Sequence, residues 1–362
     1  MIIAHVVEPF ATGINTFIHE LVFGMPHYEH YIIHGERKDV RKIEAIKKEY
    51  FGKATFIKWE NAHRDINVVM DIKACVELNT ILKKIDFDII HLHSSKAGVL
   101  GRLISFINGY KNVVYTPNGA SFLRKDIPQN KVAGYERIER VFSRLNGKVI
   151  SSSESEHKAH SKLGIKSKII QNGVLVDRSI RVERKSARFN IVTCGKITIQ
   201  KNPSLLNEIA GFFKNDPDIS FKWIGDGELK HELTNVEVTG WCSKKGVYGH
   251  LSQADLYIST SSWEGLPLAG IEAMAFGLPL LMNDCDGNRD IVNSGINGYV
   301  FDSRIKAIED IEYLKESKSI LKFLGESSLK MYERHYNNFR CAKDYDELYK
   351  AFYRKAKIAN AN

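Results

Sequence analysis

The sequence predicts an α/β protein: two parallel-sheet domains of similar size facing a central cleft, followed by a C-terminal helical tail. Three observations carry this. Short apolar runs of strand length alternate with amphipathic stretches of helix length, the pattern of βαβ units and hence of parallel sheets. The chain has 362 residues, enough for about two domains at roughly 150 residues each. A charged segment poor in large apolar residues interrupts the alternation near the middle, with Arg178, Arg181, Arg184, Lys185 and Arg188, and reads as a linker.

Taken in order, residues 1–8 form an apolar opening without a basic leader or a cleavage site, a first buried strand rather than a signal peptide. Strands are expected at 2–7, 31–34, 54–57, 89–93, 113–116, 149–152 and 168–170. The helices between them are expected at 15–23, 40–50, 66–84, 97–107, 135–145 and 154–163. These make a first domain, 1–177, with 178–188 as linker. The second domain, 189–335, has strands at 189–194, 219–224, 236–239, 256–259, 279–283 and 298–301. Its helices fall at 204–215, 245–253, 270–276 and 289–293. After Lys306 the chain is helical and highly charged, and 336–362 is expected to pack back on the first domain. On open α/β sheets ligands bind beyond the carboxyl ends of the strands, so the cleft between the two domains is the expected site.

Composition excludes several classes. Hydrophobic residues at 43% and charged residues at 26% match a soluble globular chain rather than a disordered, collagenous or coiled-coil one. No run approaches the ~18 apolar residues of a membrane span. Five scattered cysteines without a CxxC spacing point to a reducing cytoplasm and no disulfide framework. The net charge is +9, and part of the excess is local: eight Lys/Arg against three acids between Arg37 and Lys58. That run is either a solvated helix face or a surface for an anionic membrane. Nucleic acid has only net charge behind it, with no recognisable module.

Residues 260–279 carry the chemistry. Glu264 lies in a loop leaving a strand, and Glu272 is expected in the first turn of the next helix. Gly265, Pro267 and Gly270 keep the intervening loop tight. Backbone N–H groups at such a loop and helix start hold a phosphate, and an acid beside it accepts from vicinal hydroxyls. Asp86-Phe-Asp88 and Asp284-Cys-Asp286 match a three-residue metal motif, but acids before a strand commonly mark a turn. His91 and His93 share one strand face and lack an identifiable third ligand. No Gly-x-Gly-x-x-Gly, Walker loop or Gly-x-Ser-x-Gly elbow occurs, which leaves dehydrogenase, P-loop ATPase and α/β-hydrolase unsupported.

Ser-x-Trp-Glu264-Gly-Leu-Pro-x4-Glu272-Ala-Met-Ala-x-Gly-Leu-Pro resembles the signature of retaining glycosyltransferases of family 4, which have the GT-B fold of two Rossmann-like domains. Further matches are the stretch 88–102 with its Ser-Ser-Lys-Ala-Gly, Gly195-Lys-x4-Lys201-Asn-Pro, Ile224-Gly-Asp-Gly-Glu228 and the loop 286–298. The resemblance spans residues 1 to about 300. It implies that Glu272 binds the ribose hydroxyls of a nucleotide and Glu264 the hydroxyls of the donor sugar. Backbone amides of Gly265, Leu266, Pro267, Leu268 and Ala269 would line the donor, with Gly195, Gly13 and Trp241 also on the donor side. Lys196 and Lys201 would neutralise the diphosphate and its leaving-group charge. His93, Ser94 and Lys96 would lie on the acceptor side.

The chain departs from the family at two points. Lys196 stands where Arg is usual and offers a point charge instead of a bidentate fork. Asn118 stands where a His is usual; it can hydrogen-bond but cannot carry a proton charge. The implied activity is retaining, metal-independent transfer of a hexose or N-acetylhexosamine from a nucleotide sugar, UDP-linked by expectation. The acceptor would be a glycan or a polyprenyl-diphosphate-linked oligosaccharide of bacterial O-antigen or capsule synthesis. The protein is expected in the cytoplasm, peripheral on the inner membrane face. A nucleotide-sugar epimerase on the same fold and a non-catalytic sugar-nucleotide-binding adaptor are the alternatives.

Overall fold

The computed structural model describes residues 1–8, 10, 12–36, 43–63, 66–180, 182–183 and 187–361. The chain divides into two compact units: Met1–Gly173 with Asn338–Asn362, and Val174–Asn337. Where the segment expected as a linker is described, it belongs to the second unit. Ile180 packs on that unit's core, and the Val182 N–H donates to Ser252 Oγ. The Val174 N–H donates to the Tyr336 carbonyl and Tyr332 OH to the Val174 carbonyl, each at 3.0 Å. Both chain crossings are thus tied together within the second unit.

The first unit holds strands β1 (Ile2–Val7), β2 (Glu29–His34), β3 (Thr55–Lys58), β4 (Ile89–His93), β5 (Val113–Thr116), β6 (Lys148–Ser151) and β7 (Ser167–Ile169). Its helices are α1 (Thr12–Gly24), α2 (Ile43–Glu49), α3 (Val68–Leu82), α4 (Ser95–Ile107), α5 (Gln129–Leu145) and α6 (Glu154–Lys162). The second unit holds β8 (Phe189–Cys194), β9 (Ile219–Ile224), β10 (Glu237–Val238), β11 (Leu256–Ser259), β12 (Leu280–Asn283) and β13 (Gly298–Phe301). Its helices are α7 (Pro203–Phe212), α8 (Lys244–Leu251), α9 (Leu268–Ala275), α10 (Asn288–Ile291), α11 (Arg304–Glu316) and α12 (Lys318–Met331). Helix α13 (Asn338–Ala361) returns to the first unit. Helix α5 starts at Gln129, earlier than its apolar periodicity suggested, because Pro128 supplies the extended residue before its first turn. Residues 40–42 of the predicted second helix lie outside the described residues.

Both sheets are parallel throughout, in the orders β3-β2-β1-β4-β5-β6-β7 and β10-β9-β8-β11-β12-β13. Each order reverses beside its first strand, between β1 and β4 and between β8 and β11. Right-handed crossovers leave such a point toward opposite faces, so the carboxyl ends of those two strands stay uncovered. Helices cover both faces of the first sheet. On one, Ala74, Leu78 and Leu82 of α3 pack with Trp59, Leu92 and Leu100. On the other, α1 and α13 enclose a polar core.

Parallel pairing sets His5 of β1 opposite His91 of β4, and this supplies the third imidazole missing from the sequence reading of His91 and His93. The three lie within 4.8 Å of one another by their ligand atoms. Packing against them are Phe17 of α1 and Tyr345 and Tyr349 of α13. The hydrogen bonds fix a direction. His30 Nε2 meets the Met25 carbonyl at 3.1 Å, and a carbonyl only accepts, so this nitrogen carries the proton. His30 Nδ1 then accepts from His5 Nε2 at 3.1 Å, and His5 Nδ1 accepts from His93 Nε2 at 3.0 Å. His91 is held separately by Tyr349 OH at 2.6 Å and Thr116 Oγ1 at 2.8 Å.

Burial first, and neighbouring imidazoles second, hold His5, His91 and His93 well below the ordinary 6.5, and burial lowers His30 to about 4. Above that ordinary value the folded and unfolded chains are both neutral at these positions. As pH falls through it, the unfolded chain takes up protons that the fold refuses. Stability should therefore fall by up to about 1.4 kcal/mol per pH unit for each such imidazole. Denaturant titrations of the protein from about pH 7 to pH 5 should show a falling midpoint, with a shallower slope in His5→Asn. A midpoint that stays constant over this range would contradict a neutral histidine core.

Candidate active site

In the second unit the site is built on close backbone contacts. Gly195 ends β8 with φ 135° and Gly225 ends β9 with φ 147°. A Cβ on Gly225 would stand 2.2 Å from the Gly195 carbonyl oxygen, so only glycine lets these loops touch. Trp223 Nε1 donates to the Gly195 carbonyl and the Ile197 N–H to the Asp226 carbonyl, each at 2.9 Å. Lys196 leaves the turn they fix, with its Nζ 3.9 Å from Glu228. A 3-10 turn, Ile199–Lys201, follows. Asn202, left-handed at φ 49°, then caps α7 by accepting from the Leu205 N–H, with Pro203 in the first turn. The segment after β11 clamps this turn: Thr260 Oγ1 donates to the Lys201 carbonyl and the Ser262 N–H to the Gln200 carbonyl, both at 2.8 Å.

Glu264 is 8% exposed. Its Oε1 accepts from Lys201 Nζ at 2.6 Å and its Oε2 faces Gln200 Nε2 at 3.4 Å. The Glu264 N–H donates to the Asp286 carbonyl. Gly287, at φ 82°, lies so close that a Cβ there would come within 2.7 Å of Glu264 Cβ. The two residues given separate tasks from sequence thus form one ion pair. Glu272 needs a correction. Helix α9 begins at Leu268, directly after Pro267, so Glu272 stands in the second turn rather than the first. Leu268 and Ala269, expected in a loop, are themselves first-turn residues. No side chain caps this helix, so its leading N–H groups are available to an anion. Glu272 is buried beside β8: burial first, and then the Glu272 charge, push the Cys194 thiol up. Trp241 is 45% exposed in the loop after β10. That loop is tied to the Gly225 turn through Gly225 N–H and Thr239 Oγ1 at 3.2 Å. Gly195, Lys196, Lys201, residues 264–269 and Glu272 therefore gather around the carboxyl ends of β8 and β11.

In the first unit Asn118 follows β5 with φ 53°, a left-handed position that asparagine tolerates. Its Oδ1 accepts from Asn172 Nδ2 at 3.0 Å, whereas its Nδ2 makes only a long 3.5 Å contact to the Thr116 carbonyl. Glu156 of α6 secures this loop. Its buried carboxylate accepts from the Gly119 N–H at 2.9 Å, the Ala120 N–H at 3.1 Å and Ser152 N–H and Oγ at 2.7 and 2.9 Å. Neither Glu156 nor Asn172 stood out in the sequence. The available signal was the Ser153-x-x-Glu156 spacing, which reads as a helix capping box, and Ser153 does cap α6. The glutamate, however, turns away to the Asn118 loop.

Three acceptor-side expectations fare differently. His93 is fully buried and turns into the histidine core, because alternation along β4 puts it on the same face as His91. It does not face an incoming molecule. Ser94, at φ 69°, donates from Oγ to the Glu8 carbonyl. Lys96, in the first turn of α4, pairs with Asp71 of α3 at 2.5 Å. Gly13 is the second residue of α1, exposed and with open space around it.

The acidic motifs have structural partners. Asp284 and Asp286 both accept from Arg289, at 2.5 and 2.6 Å, and Asp88 accepts from the Ile2 N–H at 2.8 Å. Among the described residues one group has the spacing of a metal site, His5, His91 and His93. Both nitrogens of His5 and of His91 already have hydrogen-bond partners in the core. Of the basic run 37–58, residues 37–42 lie outside the described residues. Lys47 pairs with Glu44 at 3.5 Å, and Lys58 with Glu36 at 3.4 Å and Glu60 at 2.8 Å. No helix among the described residues is long and apolar enough to cross a membrane.

Comparison with known proteins agrees with this geometry. The family model Glycosyltransferase Family 4 matches residues 12–178, and Glycosyl transferases group 1 matches residues 177–338. An Escherichia coli UDP-Gal:alpha-D-GlcNAc-diphosphoundecaprenol alpha-1,3-galactosyltransferase is 28% identical over 270 residues, 66% of this chain and 68% of the relative. The Escherichia coli O-antigen biosynthesis glycosyltransferase WbnH is 28% identical over 233 residues, 63% of this chain and 67% of the relative. The crystal structure of Anabaena HepE with UDP and glucose superposes with a TM-score of 0.79 at 14% identity, over 95% of this chain and 98% of that one. Two parallel Rossmann-like sheets, the Glu264–Glu272 loop on the second of them, and family matches that together run from residue 12 to 338 make the chain a GT-B glycosyltransferase, a member of glycosyltransferase family 4.

Proposed function

We infer that the protein transfers a hexose or N-acetylhexosamine from a UDP-sugar, with retention of configuration, to a hydroxyl of a glycan or polyprenyl-diphosphate-linked acceptor in bacterial surface-polysaccharide synthesis. The observation that carries this reading is the cluster at the ends of β8 and β11: Glu264 and Glu272 on either side of an uncapped helix start, with Lys201 on Glu264. Carboxylates accept from hydroxyls, helix N–H groups and lysines bind phosphate, and a sugar nucleotide presents both chemistries. The galactosyltransferase relative, named for UDP-Gal and a diphosphoundecaprenol-linked acceptor, supports the donor base and the lipid-linked acceptor.

In the inferred reaction the bond from the sugar's anomeric carbon to the β-phosphate oxygen breaks, and its electron pair stays on the diphosphate. Lys196, Lys201 and the first N–H groups of α9 stabilise that charge, which is where positioned donors contribute most. The acceptor oxygen bonds the anomeric carbon on the face the diphosphate leaves. Its proton passes to the departing phosphate oxygen. Glu264 orients the sugar hydroxyls and keeps Lys201 directed into the site. Glu272 accepts from the ribose. Asn118, at the position where the family usually has His, would by that resemblance offer its amide N–H₂ to the donor sugar. With charge supplied by lysines and backbone, the step needs no divalent ion.

Three tests follow. Glu272→Ala should weaken UDP binding by at least about tenfold in calorimetry, the equivalent of one hydrogen bond to a charged group at roughly 1.5–3 kcal/mol; unchanged affinity would remove Glu272 from the donor site. Transfer from UDP-sugars, chosen from a panel of UDP- and GDP-donors, should persist in EDTA. A loss that Mn²⁺ restores would replace the lysine-based account. Glu156→Ala should lower kcat while leaving UDP affinity within about twofold, because the hydrogen bonds it removes, to Gly119, Ala120 and Ser152, all lie in the first unit around the Asn118 loop, and Glu156→Gln should recover part of the rate. Equal losses in both variants, accompanied by lost UDP affinity, would mean that Glu156 serves the fold in general.

A further inference from the structure

Helix α3 is apolar on two sides. Ala74, Leu78 and Leu82 are buried against the sheet and α4, as an amphipathic helix requires. The opposite side is also apolar: Val69, Ile72 and Val76, spaced i, i+3, i+7, are 64%, 59% and 62% exposed. Val68 and Ile66 extend the stripe at 72% and 66%. A soluble surface helix normally carries charge there, and a contiguous apolar patch marks an interaction site.

The charges on this helix are sorted by sign. Its acids turn toward the protein: Asp71 pairs with Lys96, and Glu77 accepts from the backbone N–H groups of Glu60 and Asn61 at 2.7 and 2.8 Å. Lys73, within the stripe, and Lys83 and Lys84, at its end, are exposed. What faces outward is β-branched hydrocarbon and lysine, the combination that suits an anionic lipid interface. In the basic run 37–58, by contrast, Lys47 and Lys58 are already engaged with Glu36, Glu44 and Glu60.

Position favours the same partner. Because α3 runs back from the carboxyl end of β3, its first turns lie at the edge of the sheet where β4 delivers Ser94 and Lys96. The Asp71–Lys96 pair joins the first turns of α3 and α4 directly. We propose that the outward face of α3, from Ile66 to Val76 with Lys73, is the surface on which the protein docks to an anionic bilayer. A docked first unit would hold its acceptor-side edge at the headgroup layer, where a polyprenyl diphosphate is exposed. The proposal rests on the lipid-linked acceptor inferred above.

The test uses the full chain, vesicles of phosphatidylglycerol with phosphatidylcholine, and vesicles of phosphatidylcholine alone. The parent protein should co-sediment with the anionic vesicles and lose binding as salt rises. Ile72→Asp with Val76→Asp, and separately Lys73→Glu with Lys83→Glu, should each weaken that binding by at least about tenfold. Ile72→Trp should show a blue-shifted emission that brominated acyl chains quench. All variants should keep the parent's circular dichroism and UDP affinity. Absent vesicle binding in the parent, or binding unchanged in both double variants, would overturn the proposal. So would a concentration-dependent dimer abolished by Ile72→Asp with Val76→Asp, which would make a second copy the partner. Transfer to a detergent-solubilised lipid-linked acceptor is measured in parallel: if it proceeds while vesicle binding fails, the surface assignment falls and the proposed activity stands. If vesicle binding holds while no UDP- or GDP-sugar is turned over, the activity falls instead.

Discussion

The reversal of strand order within each parallel sheet is the constraint on which the rest of this structure depends. Parallel strands need helical crossovers, and where successive crossovers leave to opposite faces the strand ends between them stay open. Every residue of the second unit proposed to bind the donor, except Trp241, sits at that opening or one turn beyond it. The loops there are packed so closely that side chains are excluded: Gly225 touches the Gly195 carbonyl, and Gly287 touches Glu264. Such packing gives Glu264 and Lys201 a single arrangement, a 2.6 Å ion pair in which the carboxylate is almost out of water. A preorganised charge of this kind loses little on binding and counts for more than the same charge in solvent.

Much of the fold was legible because the strands of a sheet covered on both faces read as short apolar runs. The thirteen strands among the described residues coincide with expected ones to within about two residues, the edge strand β10 included. Helix starts were less legible. Pro128 and Pro267 set the starts of α5 and α9, and apolar periodicity placed both too late. That small shift moved Glu272 from the first turn to the second, and took Leu268 and Ala269 out of the loop.

Residues whose meaning depends on distant partners were not legible. His93 looked like an acceptor-side residue from its motif, yet strand alternation turns it inward to His5, eighty-eight positions away in sequence. Glu156 carries the spacing of a helix cap and spends its carboxylate on the Asn118 loop instead. The segment 178–188 had the composition of a linker, but within its described residues Ile180 packs on the second core. The outer face of α3 was hidden for a related reason: an apolar helix surface reads as core until the structure shows it exposed among the described residues.

The central claim is that the crevice at the ends of β8 and β11 holds the diphosphate and ribose of the donor. Hydrogen exchange of the full chain with and without UDP tests it most directly, since it reads the backbone amides that would bind the phosphates. The account predicts slowed exchange in the segments 195–203 and 262–272, with little change in the histidine core of the first unit. Protection absent from both segments at saturating UDP, or confined to the first unit, would contradict it.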